Sequence, residues 1–350
     1  MRLAVFLPNW IGDVVMATPA LRALRKLVGD GGHLIGVMRP YVSETLAGTS
    51  WLDEEILYKP GTKSGDRKPA TATAKLRAAR PDVAVLLTNS VRTGWMAWRS
   101  GARARIGTAR DLRGWLLTKR VNEQKEHGKW VTLSAIDAYL SVAYAAGCAP
   151  ETPELELATT SEDEHAADAV WGALGLPASN RTVVFNPGGA FGAAKHWPAE
   201  HFAVLGRRLA QEYDLHVLVN CGPSERKIAR TIAELAGDDR VVSLADFDVP
   251  LGLTKACIRR SRMLVTTDSG PRFFGVAFGR PVVSLFGPTP PGITDTHYKQ
   301  ETPLTLNLDC QPCMQRACPL GHHQCMRDLT VDRVYRAVVA GLEQSKSAAA

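Results

Sequence analysis

The 350-residue chain is 45% hydrophobic and 22% charged, the balance of a folded globular protein rather than of a disordered or fibrous one. Its length suits two domains of roughly 100 to 200 residues each, and a formal net charge of +7 favours polyanionic partners such as nucleic acid, phosphorylated lipid or a nucleotide. The opening "MRLAVFLPNW" has a short apolar run that Pro8, Asn9 and Asp13 interrupt, well before a signal-peptide core or the roughly 18 residues of a membrane span. The expected location is therefore the cytoplasm.

In chain order, "LAVFL", "HLIGVM", "EILY" and "VAVLLT" read as short buried strands separated by helical patterns such as "TPALRALRKLV". In that helix Leu21, Leu24 and Val28 fall on one stripe, and Thr18 before Pro19 reads as a cap, so the helix following Asp13 kinks or restarts there. A long helical pattern covers 129–147, and the proline-rich acidic stretch after it reads as a linker. Ser161 with Glu164 three residues on reads as a capping box. The second half repeats the alternation with strands "TVVFNP", "HVLVN", "RVVSL", "MLVTTD" and "PVVSLFG". Alternation of this kind gives parallel sheets with crossover helices. The expected fold class is α/β, with two Rossmann-like domains facing across a cleft: residues 1–165, residues 166–330, and a terminal helix and tail over 331–350.

Ligands of such sheets sit beyond the carboxyl ends of the strands, which singles out three loops. Asp13 follows a glycine at the turn after the first strand; it is either a helix cap or a general base that takes the proton of an attacking hydroxyl. The loop "NPGGAFGAAKHWP" offers Gly188 and Gly189, whose backbone lets an anion approach, and Lys195, which can neutralise a phosphate. It lacks the patterns of a P-loop or a dinucleotide site, and a plain surface turn is the alternative. In "TTDSGPRFFG" the helix start near Ser269 and Gly270 suits a diphosphate, whereas Asp268 suits sugar hydroxyls or amides.

Together "NWIGDVVMATPALRALR", "NPGGAFGAAKHWP" and "TTDSGP" followed by "GRPVVSLFGPTPPG" resemble the ADP-heptose:lipopolysaccharide heptosyltransferases of glycosyltransferase family 9, and "CQPCMQRACPLGHHQC" resembles the heptosyltransferase II branch. The resemblance implies the GT-B architecture, with acceptor bound by the N-terminal domain and donor by the C-terminal one. It further implies inverting transfer of L-glycero-D-manno-heptose from ADP-heptose to the inner-core heptose, without a metal for chemistry. By motif, Asp13 is the implied base, Lys195 the leaving-group stabiliser, and Asp268, Ser269 and Gly270 the donor site; Asn9 and Gly12 share the acceptor-side motif. Two departures stand out: Phe273 where the family carries histidine, so that its contact to the donor is either lost or replaced, with Arg272 the candidate to replace it, and His196 where arginine is usual. They leave open another nucleotide-sugar donor, or a non-catalytic nucleotide-sugar binder.

Residues 90–120 hold eight Arg or Lys against Asp111 alone, interleaved with Trp95, Trp98 and Trp115. This fits a phosphorylated glycolipid, lipid A-linked core oligosaccharide, at the inner face of the inner membrane, with Arg92 and Arg105 as expected acceptor contacts. The alternative is a solvated face over core tryptophans. No RNP or helix-turn-helix pattern supports nucleic acid. Cys310, Cys313, Cys318 and Cys325 lie within 16 residues; the first pair has the spacing of a structural zinc hook, while the later spacings match no common finger, and free thiols or a redox-labile pair are the alternatives.

Overall fold

The computed structural model describes residues 1–350 except 63, 64, 123, 124, 127, 128, 131, 132, 178, 190 and 348–350. The chain divides into two compact units, Met1–Ala158 with Gly292–His297, and Thr159–Pro291 with Tyr298–Ala350. The split comes at Ala158, and the terminal helix Val331–Ser347 belongs to the second unit.

In the first unit β1 (Arg2–Phe6), β2 (His33–Met38), β3 (Glu54–Leu57), β4 (Val83–Leu86), β5 (Ala104–Thr108) and β6 (Lys119–Val121) form one sheet in the order β3-β2-β1-β4-β5-β6. Every pairing in it is parallel. Beyond that sheet, β7 (Lys125–Glu126) and β8 (Lys129–Trp130) make a two-stranded antiparallel pair. In the second unit β9 (Thr182–Asn186), β10 (His216–Val219), β11 (Val241–Ser243), β12 (Met263–Thr267), β13 (Val282–Leu285) and β14 (Glu301–Leu304) repeat the topology as β11-β10-β9-β12-β13-β14, again all parallel. Parallel strands covered by helices on both faces are buried throughout; β9, β12 and β13 have no exposed residue, and Phe6, Val37, Leu86 and Met96 pack in the core of the first sheet. The order reverses between β1 and β4, and again between β9 and β12. At such a reversal the connections leave in opposite directions and open a crevice at the carboxyl ends.

The helix after β1 does restart. Ile11–Met16 ends at Ala17 and a second helix runs Thr18–Val28, with Leu21, Leu24 and Val28 buried. Thr18 is not its cap: its hydroxyl donates back to Val15 O at 2.7 Å. The helix expected over 129–147 is shorter, Ala135–Ala145, because Ser134 caps it by accepting from Asp137 N, and 129–130 pair as a strand; 131 and 132 lie outside the described residues. The capping box stands one residue earlier than expected, on Thr160 and Asp163. No helix among the described residues is long and apolar enough to cross a membrane.

Candidate functional site

Each unit carries its candidate residues at its own reversal point. In the first, Leu7–Trp10 leaves the carboxyl end of β1 and delivers Asp13 in the first turn of Ile11–Met16. Trp10 stands at the N-cap without a side-chain capping bond, and Asp13 Oδ1 accepts from the Tyr139 hydroxyl at 3.0 Å. Burial, and next the charge of Asp13, push the Tyr139 phenol well above its ordinary range, so it remains a donor. Gly12 is buried beside Asp13, and the Asn9 carbonyl accepts from Tyr41 while its Oδ1 is enclosed without a partner. Arg92 is exposed on the helix Val91–Arg99, which starts beyond the carboxyl end of β4 and so belongs to this region. Arg105 does not. It lies near the amino end of β5 and donates to the Leu116 and Ala102 carbonyls at 2.7 and 2.8 Å, fastening the 114–117 turn.

In the second unit the loop after β9 and the turn after β12 meet. Lys195, 7% exposed, donates from Nζ to the Asp268 carbonyl at 2.9 Å and to Asp268 Oδ2 at 2.5 Å. Asp268, 6% exposed, also accepts from Thr289 Oγ1 at 2.7 Å and lies 3.5 Å from Arg272 Nη1. Burial raises the Asp268 carboxyl most, but Lys195 and Arg272 together outweigh it and hold it below the usual range. Asp268 thus meets cations and a hydroxyl of its own unit. Arg272, 1% exposed, donates to Glu301 Oε1 at 2.5 Å, which also accepts from Ser284 at 2.7 Å. Of the two readings of the missing histidine's contact, lost or replaced by Arg272, this geometry favours the first, since the guanidinium is held between two carboxylates; Phe273 is buried against it.

The glycine loop is fixed from beneath. Asn186 Nδ2 donates to the Gly188 carbonyl and to Ser269 Oγ, and Asn220 Nδ2 donates to Asn186 Oδ1 at 2.9 Å. Ser269 is the N-cap of Gly270–Ala277 but makes no side-chain capping bond, so its helix-end amides are not closed by it. A Cβ on Gly189 would stand 3.1 Å from Ser269 Cβ, which is how the two loops come so near. Gly192, at φ +145°, is required for another reason: a Cβ there would lie 2.4 Å from the Arg316 carbonyl, which also accepts from Ala194 N at 3.1 Å. The cysteine segment thereby buttresses the loop that carries Lys195.

Cys310, Cys313, Cys318, Cys325 and His322 line one pocket with Ala194. Backbone amides of residues 320–323, His323 foremost, gather on Cys318 and lower its thiol, while burial and next the other three cysteines raise that of Cys325. As placed, no three His, Cys, Asp or Glu side chains among the described residues form a group able to hold a metal ion.

Sequence reasoning named Arg272 but missed its pairing with Glu301, and it missed Tyr139 and the contact of Asn186 with Asn220. Only Arg272 had a local signal, its i+4 spacing from Asp268 across the strand-to-helix turn.

The family model for glycosyltransferase family 9 (heptosyltransferase) matches residues 71–324. The chain is 26% identical to lipopolysaccharide heptosyltransferase 2 of Escherichia coli K12, over 99% of this chain and all (100%) of that one. It is 25% identical to lipooligosaccharide heptosyltransferase 2 of Campylobacter jejuni, over 99% and 98%. Among solved structures, the E. coli ADP-heptose LPS heptosyltransferase II superposes with a TM-score of 0.80 over 99% of this chain and 100% of that one, at 22% identity. The two reversal-point sites, on a pair of sheets with the GT-B fold, therefore have a family: the chain belongs to glycosyltransferase family 9, the heptosyltransferases, and is a glycosyltransferase.

Proposed function

We propose that this enzyme transfers L-glycero-D-manno-heptose from ADP-heptose to the inner-core heptose of lipopolysaccharide, with inversion and release of ADP. The observation that carries the reading is Lys195, buried at the β9–β12 reversal, with Nζ donating to the Asp268 carbonyl and carboxylate and standing 4.5 Å from the Phe191 ring centroid. An ammonium has three donors; in this reading the one not used on Asp268 turns to a diphosphate oxygen when the donor binds. Asp13 accepts the proton of the acceptor hydroxyl as its oxygen bonds to the anomeric carbon. The bond from that carbon to the diphosphate oxygen breaks, and the electron pair leaves with ADP. Lys195 and the amides that open Gly270–Ala277 stabilise the charge so formed. Asp268 positions Lys195, while Gly188, Gly189, Ser269 and Gly270 line the donor; Asn9, Gly12 and Arg92 serve the acceptor. The relatives named lipopolysaccharide heptosyltransferase 2 support the choice of sugar. In this reading the enzyme works in the cytoplasm, at the inner face of the inner membrane, where it meets its lipid-borne acceptor.

None of these steps needs a metal. A zinc ion at Cys310, Cys313, Cys318 and Cys325 is structural in this reading and has to draw the thiols inward from where they stand. Its removal loosens the Lys195 loop rather than the chemistry. If the site takes zinc, protein purified without chelator holds about one ion per chain; a content far below that leaves the four thiols free, as they stand in this structure, and ends the zinc reading.

The function is tested by mass analysis of a one-heptose lipid A acceptor incubated with enzyme and ADP-heptose. Gain of one heptose is expected. Consumption of a UDP- or GDP-sugar in its place, which His196 and Phe273 leave open, would reassign the donor; tight ADP-heptose binding with no product would make the chain a binder.

A further inference from the structure

We propose that the first unit seats on an anionic lipid surface through the helix Val91–Arg99 and the loop 109–118, with Leu112 and Trp115 entering the headgroup layer. On the helix Val91, Trp95 and Trp98 recur at i, i+4 and i+7, and all three are exposed. This is an apolar stripe turned outward, the reverse of a helix that buries its face. Trp95 and Trp98 lie with ring centroids 4.8 Å apart, so they form one aromatic surface. The inner face is secured separately: a Cβ on Gly94 would stand 2.9 Å from Leu116, so the turn Gly114–Leu116 packs directly on this helix. That leaves its neighbour Trp115 65% exposed, and Leu112, earlier in the same loop, 93% exposed.

The loop is built to present Leu112. Asp111 and Leu112 hold φ of 53° and 58°, left-handed values that residues with a Cβ rarely adopt. The next residue anchors them. Arg113 is fully buried, with Nε donating to the Thr108 carbonyl at 3.1 Å and Nη2 to Asn89 Oδ1 at 3.3 Å. An arginine directed inward thus projects a leucine outward, a reversal of the ordinary pattern that a water-facing loop has no use for.

Charge selects the partner. Arg92, Arg99, Arg103, Arg110, Lys119 and Arg120 are exposed around this face, against Asp111 as the one acid of the segment. Tryptophan with arginine suits the boundary where headgroup phosphates meet acyl chains, and an aliphatic tip adds insertion. A nucleic acid would use the arginines and indoles but gains nothing from Leu112. The face lies on the β4–β5 and β5–β6 connections, which start at the carboxyl edge from which Asp13 follows β1 and run back across the sheet to the amino end of β5, where Arg105 holds Leu116. The docking rests on the proposed function and deepens it by holding the acceptor-binding unit at the surface that carries a lipid-borne acceptor.

The test is sedimentation of the full chain with vesicles of phosphatidylcholine alone or with about one-third phosphatidylglycerol, with no donor or acceptor present. Expected is partition onto the anionic vesicles only, reduced about tenfold or more in about 0.5 M salt. Leu112→Ser with Trp115→Ser, both exposed, lowers it by a similar factor; Arg99→Ser with Arg103→Ser lowers it and weakens its salt dependence, four of the six cations remaining. Asp13→Asn partitions as the wild type, so a failed docking surface and a failed transferase reading are told apart. Absence of partition at low salt, or equal partition of wild type and the Leu112/Trp115 variant with unchanged circular dichroism, would overturn the proposal. Single-stranded oligonucleotide bound more tightly than the vesicles would overturn it in favour of nucleic acid.

Discussion

Asp13→Asn lowers kcat by about 10² to 10⁴-fold, the range for loss of a positioned general base, while the fold and donor affinity are kept. The separation follows from the geometry. Asparagine has the same shape, and its Oδ1 still accepts from Tyr139, so the contact between the first turn of Ile11–Met16 and the helix Ala135–Ala145 survives. What is lost is the capacity to take a proton. Donor binding, assigned to the second unit, has no reason to change. Tyr139→Phe is the informative partner: it removes a hydrogen bond worth about 1 kcal/mol and leaves the base in place, so kcat falls far less. The burial that raises the Tyr139 phenol keeps it a donor throughout the neutral range. A structural role for Asp13 would show the opposite pattern, with both variants losing thermal stability and activity in proportion.

Arg272→Met destabilises the second unit by about 3 to 5 kcal/mol, the cost of breaking a buried ion pair by removing one partner. The side chain sits between Asp268 and Glu301, with rings of Phe273 and Phe286 within 4.9 Å of the guanidinium. Methionine fills much of the volume, so the loss is chiefly electrostatic: Glu301 keeps its burial and loses the guanidinium at 2.5 Å, while Asp268 keeps Lys195 and loses its second cation. Glu301→Gln in the Arg272→Met background restores part of the stability, because the uncompensated charge is gone. The pH dependence has a definite sign. The Asp268 carboxyl is depressed in the folded protein, so its contribution is complete above the ordinary carboxylate range and lost as pH falls toward the depressed value. Without Arg272 that depression shrinks, and the variant's deficit narrows in acid. A loss below about 1 kcal/mol, the value of a solvated surface pair, would contradict the network.

How much of this was legible in the sequence depended on the reach of each interaction. Strands such as β1, β9 and β12 are continuous apolar runs ending at a Gly, Pro or Asp turn, and a local pattern of that kind is visible in a single chain. β5 and β6 were concealed because Arg105, Lys119 and Arg120 fall on them: β6 is an edge strand, which tolerates charge, and on β5 beside it the Arg105 guanidinium is satisfied by the Leu116 and Ala102 carbonyls. β14 was concealed by Pro303, which an edge strand also admits. Asp13, Lys195 and Asp268 stood out as charges in glycine-containing turns after buried strands, although a cap or a surface turn was the structural alternative; it was the three loops together that singled them out. Their partners did not stand out. Tyr139 lies 126 residues from Asp13, and Glu301 lies 29 from Arg272, so only the topology joins them. Arg105 shows the converse: basic composition suggested an acceptor contact, yet carbonyls at 2.7 and 2.8 Å make it a fastener of its own loop. The tryptophans read alternatively as core stand in solvent, because Gly94 and Leu116 fill the inner face of their helix.

The most direct test of the central claim is the initial rate of ADP release from ADP-heptose, with and without a one-heptose lipid A acceptor. The account predicts release that depends on the acceptor, saturates with it, and disappears in Lys195→Ala although that variant remains folded. Release at the same rate without acceptor, or full release in Lys195→Ala, would contradict it.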